Sequence, residues 1–229
     1  MEFVAEKLDW FGKVGRRLDE FARRLPSAPR REITVFGSAP LQLLVEPAFL
    51  SEDIDLFCAG DTAAELEKFV SENKWNKGET DLYLQVCDPL AFKSTADWRS
   101  RAINVERHGH IFCFVHPWDV LVSKLQRLEE KDLSAFRLVI DKTGHPTAAE
   151  FEQHLQLAVD LFRPKFDEES ARGDMLMNTK ILWQAIWGED IDVRERIIRP
   201  ALKRVEHEYQ AADPGLKTAL ANLRFPVGE

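Results

Sequence analysis

Every stretch with the two-residue alternation of a β-strand lies before His116-Pro117, and beyond it apolar residues recur only every three or four positions. That division constrains the fold more than any other feature of the chain, because the two periods cannot be built into the same element. Short apolar or alternating runs at 33–36, 53–58, 82–87 and 111–115 predict four strands. A stripe formed by Val4, Leu8, Phe11, Val14, Leu18, Phe21 and Leu25 predicts a first helix, closed by Pro26, Ser27 and Pro29. Pro40 to Val45 suits a short helix, and 62–75 a longer one with Thr62 as N-cap and Glu65 three residues on. After Pro117, helices are predicted at 119–140, 148–162, 175–187 and 193–209, separated by Pro146, Pro164, Gly173, Gly188 and Pro214. The expected class is α+β: a small mixed β-sheet flanked by helices over residues 1–115, then a helical domain over 116–229.

Charge narrows the partners. A net charge of −8 argues against bulk electrostatic binding of nucleic acid. Arg16, Arg17, Arg23, Arg24 and Arg30 still crowd between Lys13 and Arg31, facing only Asp19 and Glu20. A solvated helix face and its exit loop explain them, and a docking surface for RNA is the functional alternative. No apolar run is long enough to cross a bilayer and the first 20 residues lack a signal-peptide pattern, so a cytoplasmic protein is expected. Cys58, Cys87 and Cys113 are far apart in apolar runs and read as reduced, structural residues.

Asp53 and Asp55 are the chemical puzzle. At i and i+2 of a strand they share one face, while Ile54 and Leu56 share the other. Two carboxylates so placed repel, and one is pushed toward protonation unless a cation lies between them. Magnesium, or manganese, is the fitting occupant, since such ions take hard oxygen ligands from one or two carboxylates together with substrate phosphates. Upstream, Gly37-Ser38 ends a strand and opens a short helix, where a backbone free of a Cβ and exposed N–H groups can approach a phosphate. A phosphate cradle followed by a metal-binding strand describes a site for a nucleoside triphosphate.

The run "VFGS…DIDLF" resembles the signature of the DNA-polymerase-β-like nucleotidyltransferase superfamily: a hydrophobic residue, Gly-Gly or Gly-Ser, a spacer, then Asp-x-Asp in a strand. "HPWDVLVSKLQRLEEKDLSAF", 116–136, is similar to the helix after the sheet in bacterial minimal and AbiEii-like nucleotidyltransferases. The resemblance implies a nucleotidyltransferase fold over about 33–140 and an enzyme moving a nucleoside monophosphate to an RNA, tRNA or protein acceptor. It also implies a toxin of a toxin–antitoxin pair, with an antitoxin protein as partner. By the same resemblance Asp53 and Asp55 are catalytic and hold metal, Gly37 and Ser38 bind nucleotide, and Lys124 contacts the triphosphate. Lys131-Asp132 takes the later basic–acidic position, with Lys124 and Asp132 near one face of one helix and both counted by the resemblance among the catalytic residues. The family places a third carboxylate on a neighbouring strand. Here Gln85 occupies the mid-strand position and Asp81 has the right parity, so Asp81 is the expected third metal ligand. Should no third acid reach the site, a catalytically silent binding or interaction module of the same fold is the alternative.

Other signals have structural explanations. His108-Gly-His110 lacks further ligands for a metal site. Trp98, Arg99 and Arg101 suit helix anchoring as well as base stacking, and Trp183 and Trp187, four apart, read as core.

Overall fold

A computed structural model describes residues 3–49, 53–58, 62–76, 82–163 and 174–211. Five strands form one mixed sheet: β1 (Glu32–Phe36), β2 (Asp53–Cys58), β3 (Tyr83–Val86), β4 (Ile103–Arg107) and β5 (His110–Phe114), in the order β3-β2-β1-β5-β4. β1 runs antiparallel to β2 and parallel to β5, β2 is parallel to β3, and β4 and β5 form an antiparallel hairpin.

Alternation along these strands sorts the core into two clusters. Ile33, Val35, Ile54, Leu56 and Leu84 face one side, where α1 (Lys13–Arg24) and α3 (Thr62–Glu72) cover them with Leu18, Phe21, Leu66 and Val70. Phe36 and Phe57 point the other way, into a cluster shared with α4 (Pro117–Leu125), α5 (Glu130–Thr143), α6 (Ala148–Gln156) and α7 (Met175–Trp187). Asp53 and Asp55 have the parity of Phe57, so β2 turns its carboxylates toward the helical half. Trp183 and Trp187 lie in that cluster with ring centroids 4.6 Å apart.

The first helix is shorter than its apolar stripe predicts. Ala5–Lys7 forms a 3₁₀ turn and α1 starts only at Lys13. Asp9 Oδ1 accepts from the N–H groups of Phe11 and Gly12 and turns the chain there, leaving Phe11 88% exposed. α3 begins at Thr62, whose hydroxyl lies 3.1 Å from Cys58 Sγ, and Glu65 pairs with Arg31 across the sheet edge. β4 is an addition to the predicted strands, although Ile103 and Val105 alternate with Asn104 and Glu106. Its hairpin turn is His108-Gly109, both at positive φ, so this histidine pair makes a tight turn in which His110 is buried and accepts from Arg31 N–H.

The expected continuous helix over 119–140 is two helices. Leu128 adopts φ of 49°, and Glu129 opens α5 with a capping box in which its side chain accepts from the Asp132 N–H while Asp132 Oδ2 accepts from Glu129 N–H at 3.0 Å. Further on, the predicted 148–162 helix breaks into α6 and a 3₁₀ turn at Val159–Phe162. α7 keeps its predicted bounds between an Asp174 cap and left-handed Gly188, and a π-helical turn, Arg194–Ile198, leads into α8 (Arg199–Ala211). No described helix is long and apolar enough to cross a membrane.

Candidate active site

β1 ends at Phe36, which is paired in register with Asp55 of β2. The chain must reverse immediately above that carboxylate, and Gly37 makes the reversal at φ of 66°. A Cβ added there would collide with Asp55 Oδ2, so both the torsion and the space require glycine. Ser38 then precedes α2 (Ala39–Leu44), a helix of six residues. Pro40 contributes no N–H to this turn, which leaves the predicted cradle with fewer backbone donors than an ordinary helix start.

The turn, β2 and α4 enclose a cleft of about 570 Å³. Gly37, Ser38, Asp53, Asp55 and Lys124 all line it. Lys124 is only 11% exposed and its Nζ donates to Ser38 Oγ at 3.0 Å and to Asp132 Oδ1 at 3.3 Å. Burial lowers its pKa, and the neighbouring Asp132 only partly offsets that. Asp132 lies behind the cleft, fully buried. Burial pushes its carboxyl up, but hydrogen bonds from Arg127 and Glu129 N–H outweigh this and hold it below the usual carboxylate range. Lys124 and Asp132 therefore meet through the bend between α4 and α5, not along one helix face.

The basic partner of Asp132 also differs from expectation. Arg127 Nε and Nη2 lie 3.2 and 3.1 Å from its two oxygens, a two-point clasp. Lys131, the expected partner, is 66% exposed and pairs with Glu129 at 3.4 Å instead. Arg127 lines the cleft half exposed, and the Asp132 hydrogen bond raises its pKa. Arg127 reaches Asp132 only because the chain bends at Leu128, which the spacing of the two residues does not show.

Burial, and then the nearby Asp53 charge, push Asp55 up to about 6, with Lys124 pulling the other way. Cys87 Sγ lies 3.8 Å from Asp55 Oδ1, and burial with that carboxylate pushes its thiol up to about 12. The strain on Asp55 is what a cation would relieve. Two carboxylates on one face, beside a turn built to approach them, fit a divalent ion that shares its remaining positions with triphosphate oxygens. They do not by themselves fit a two-metal centre. Gln85 stands in register with Asp55 on β3, an amide where a third carboxylate would serve. Asp81, the expected third ligand, lies outside the described residues. Among the described residues no group of three or more His, Cys, Asp or Glu is placed to hold a metal.

One wall of the cleft comes from 88–101, the segment between β3 and β4, through Ala91 and Phe92. Phe92 packs on Phe36 and Trp98, with ring centroids 5.4 and 5.2 Å away. Asp119, fully buried in the first turn of α4, anchors this wall by accepting from Ser94, Thr95 and Arg101 at 2.8, 2.8 and 3.0 Å. Burial pushes its carboxyl up, but His154 and Arg101 outweigh it and hold the group well below the ordinary range. Trp98 and Arg101 are thus structural. So is much of the basic stretch near the N-terminus: Arg23, Arg24, Arg30 and Arg31 are in ion pairs and Arg17 lies 4.0 Å over the Trp75 ring.

No curated protein and no solved structure matches the chain. A family model described as a nucleotidyltransferase of unknown function (DUF6036) matches residues 16–138, more than half of the chain and every residue lining the cleft, and the chain belongs to that family.

Proposed function

We propose that the chain is a magnesium- or manganese-dependent transferase that moves a nucleoside monophosphate from a nucleoside triphosphate to an acceptor hydroxyl or phosphate. The observation that carries this reading is the convergence of Asp53, Asp55, the Gly37 turn and Lys124 on one cleft. When bound, the divalent ion supplies charge neutralisation for the triphosphate and a template for in-line displacement. The protein residues do the rest. Asp53 and Asp55 hold the ion's protein side. Ser38 and the Gly37 backbone receive the β- and γ-phosphates. Lys124, kept in place by Asp132 and Ser38, balances the charge that accumulates on departing pyrophosphate.

RNA, tRNA or a protein is the acceptor on this reading, and a toxin role with a cognate antitoxin follows from the resemblance of the motifs. The test is transfer of label from each α-labelled nucleoside triphosphate to total RNA and protein, with growth arrest on expression as the toxin readout. Asp53→Ala/Asp55→Ala abolishes both while the fold persists; transfer retained in that folded double variant contradicts the assignment. Gln85 in register with Asp55 favours a second reading, a catalytically silent module that binds a nucleotide or partner without turnover. Nucleotide binding by the wild type without transfer to any acceptor selects it.

A further inference from the structure

Phe49 is placed unlike the other aromatic residues of the cleft. Phe36 and Phe92 also line it, but they are buried and stacked into the core. Phe49 is half-buried, packed against the same core cluster, and belongs to none of the aromatic ring pairs formed among the described residues. The turn that carries it is built. Phe49 N–H donates to Glu46 O at 3.0 Å, Ala48 N–H donates to Glu46 Oε1 at 3.2 Å, and Lys142 of α5 pairs with the Glu46 carboxylate. An aromatic side chain backed by the core on a pinned turn is a stacking surface with little ordering cost on binding.

The cleft's two hydroxyl side chains each already make one bond. Ser38 Oγ accepts from Lys124, and Ser123 Oγ donates to the Val120 carbonyl at 2.7 Å. Of its charged side chains, Asp53, Asp55 and Lys124 are taken by the metal and phosphate side, Arg127 is clasped to Asp132, and Lys131 pairs with Glu129. Among the described residues no asparagine or glutamine lines the cleft to read a base edge. Selection among bases by hydrogen bonding needs such groups, whereas stacking tolerates any base because each has a π-face.

We propose that Phe49 is the nucleobase platform of this site, so that the chain accepts all four nucleoside triphosphates, with purines favoured by stacking area. This rests on the nucleotidyltransferase reading above and assigns its donor specificity. The test is calorimetric titration of the magnesium complexes of ATP, GTP, CTP, UTP and base-free tripolyphosphate into wild type, Phe49→Ala, Phe49→Leu and Phe49→Trp. Stacking is worth ~1–3 kcal/mol per base, so Phe49→Ala and Phe49→Leu weaken the four nucleotides about tenfold. Tripolyphosphate affinity stays as in the wild type, which also shows that the variants are folded, and Phe49→Trp retains nucleotide affinity. Unchanged nucleotide binding in Phe49→Ala and Phe49→Leu overturns the proposal, as does an equal loss for tripolyphosphate or a wild type that takes one base alone. If neither tripolyphosphate nor any nucleotide binds the wild type, the nucleotidyltransferase reading itself falls and takes this one with it.

Discussion

Asp55→Asn is expected to stabilise the protein in the absence of divalent ions, and by an amount that depends on pH. Burial and Asp53 raise the Asp55 carboxyl from 3.8 to about 6 in the folded chain. The native state therefore holds this proton more tightly than the unfolded chain does. Stability from the group is fully present below about pH 4, declines as pH rises toward 6, and stays lost above that. At about 1.4 kcal/mol per pH unit, ionising Asp55 at pH 7.5 costs up to about 3 kcal/mol. The cleft is open to water, so ~1–2 kcal/mol is the expected gain for asparagine, which keeps the shape and discards the charge. Urea unfolding of wild type and variant at pH 4, 5, 6 and 7.5 reads this directly. The difference should be near zero at pH 4 and reach its plateau above pH 6.5. A pH-independent difference, or a variant less stable than wild type at pH 7.5, refutes the reasoning. Such a gain would make Asp55 a residue kept for function at the expense of the fold.

Gly37→Ala meets both a left-handed torsion and the Asp55 carboxylate, and should cost ~1–3 kcal/mol in thermal unfolding while weakening triphosphate binding. Asp132→Ala removes the side-chain half of the α5 capping box and the shared counter-ion of Lys124 and Arg127; a loss of about 3 kcal/mol by urea denaturation is expected, with Asp132→Asn recovering part of it through its bond to Glu129 N–H. Asp119→Ala unties Ser94, Thr95 and Arg101, so hydrogen exchange should rise across 88–101 well before global unfolding. Phe11→Ser lies outside the core and should shift stability by no more than ~0.5 kcal/mol in the same assay.

The elements that the sequence makes legible are those with one dominant period. β2 appears at its predicted bounds because acids on one face and aliphatics on the other leave a single register. α7 does so because Asp174 and Gly188 mark both ends. The remaining boundaries depend on local chemistry that competes with periodicity. Asp9 turns the chain before α1, and so a stripe that counts Phe11 as core misplaces it. The capping box of Glu129 and Asp132 splits an unbroken apolar pattern, since its residue types are less distinctive than Ser or Thr. β4 carries only two apolar residues, Ile103 and Val105, too few for a strong period, and the His108-Gly109 turn is the other sign of its hairpin.

The site divides the same way. Gly37, Ser38, Asp53 and Asp55 could be named from spacing because each sits where a strand meets or faces the cleft. Arg127 and Phe49 could not, because one depends on the bend after α4 and the other on the turn at 46–49 that seats Phe49 against the core. The parity of Gln85 was readable; that it pairs with Asp55, and not with a residue further along β2, required the register of β2 on β3.

On the proposed function, Asp53 and Asp55 hold a metal–triphosphate against the Gly37 turn. Calorimetric titration of magnesium ATP, with the other three nucleotides alongside, into wild type and Asp53→Ala/Asp55→Ala tests it without knowledge of the acceptor. Metal-dependent binding at one site per chain, absent from the folded double variant, is the predicted result; a folded wild type that binds no nucleotide, or a double variant that binds as tightly, contradicts it.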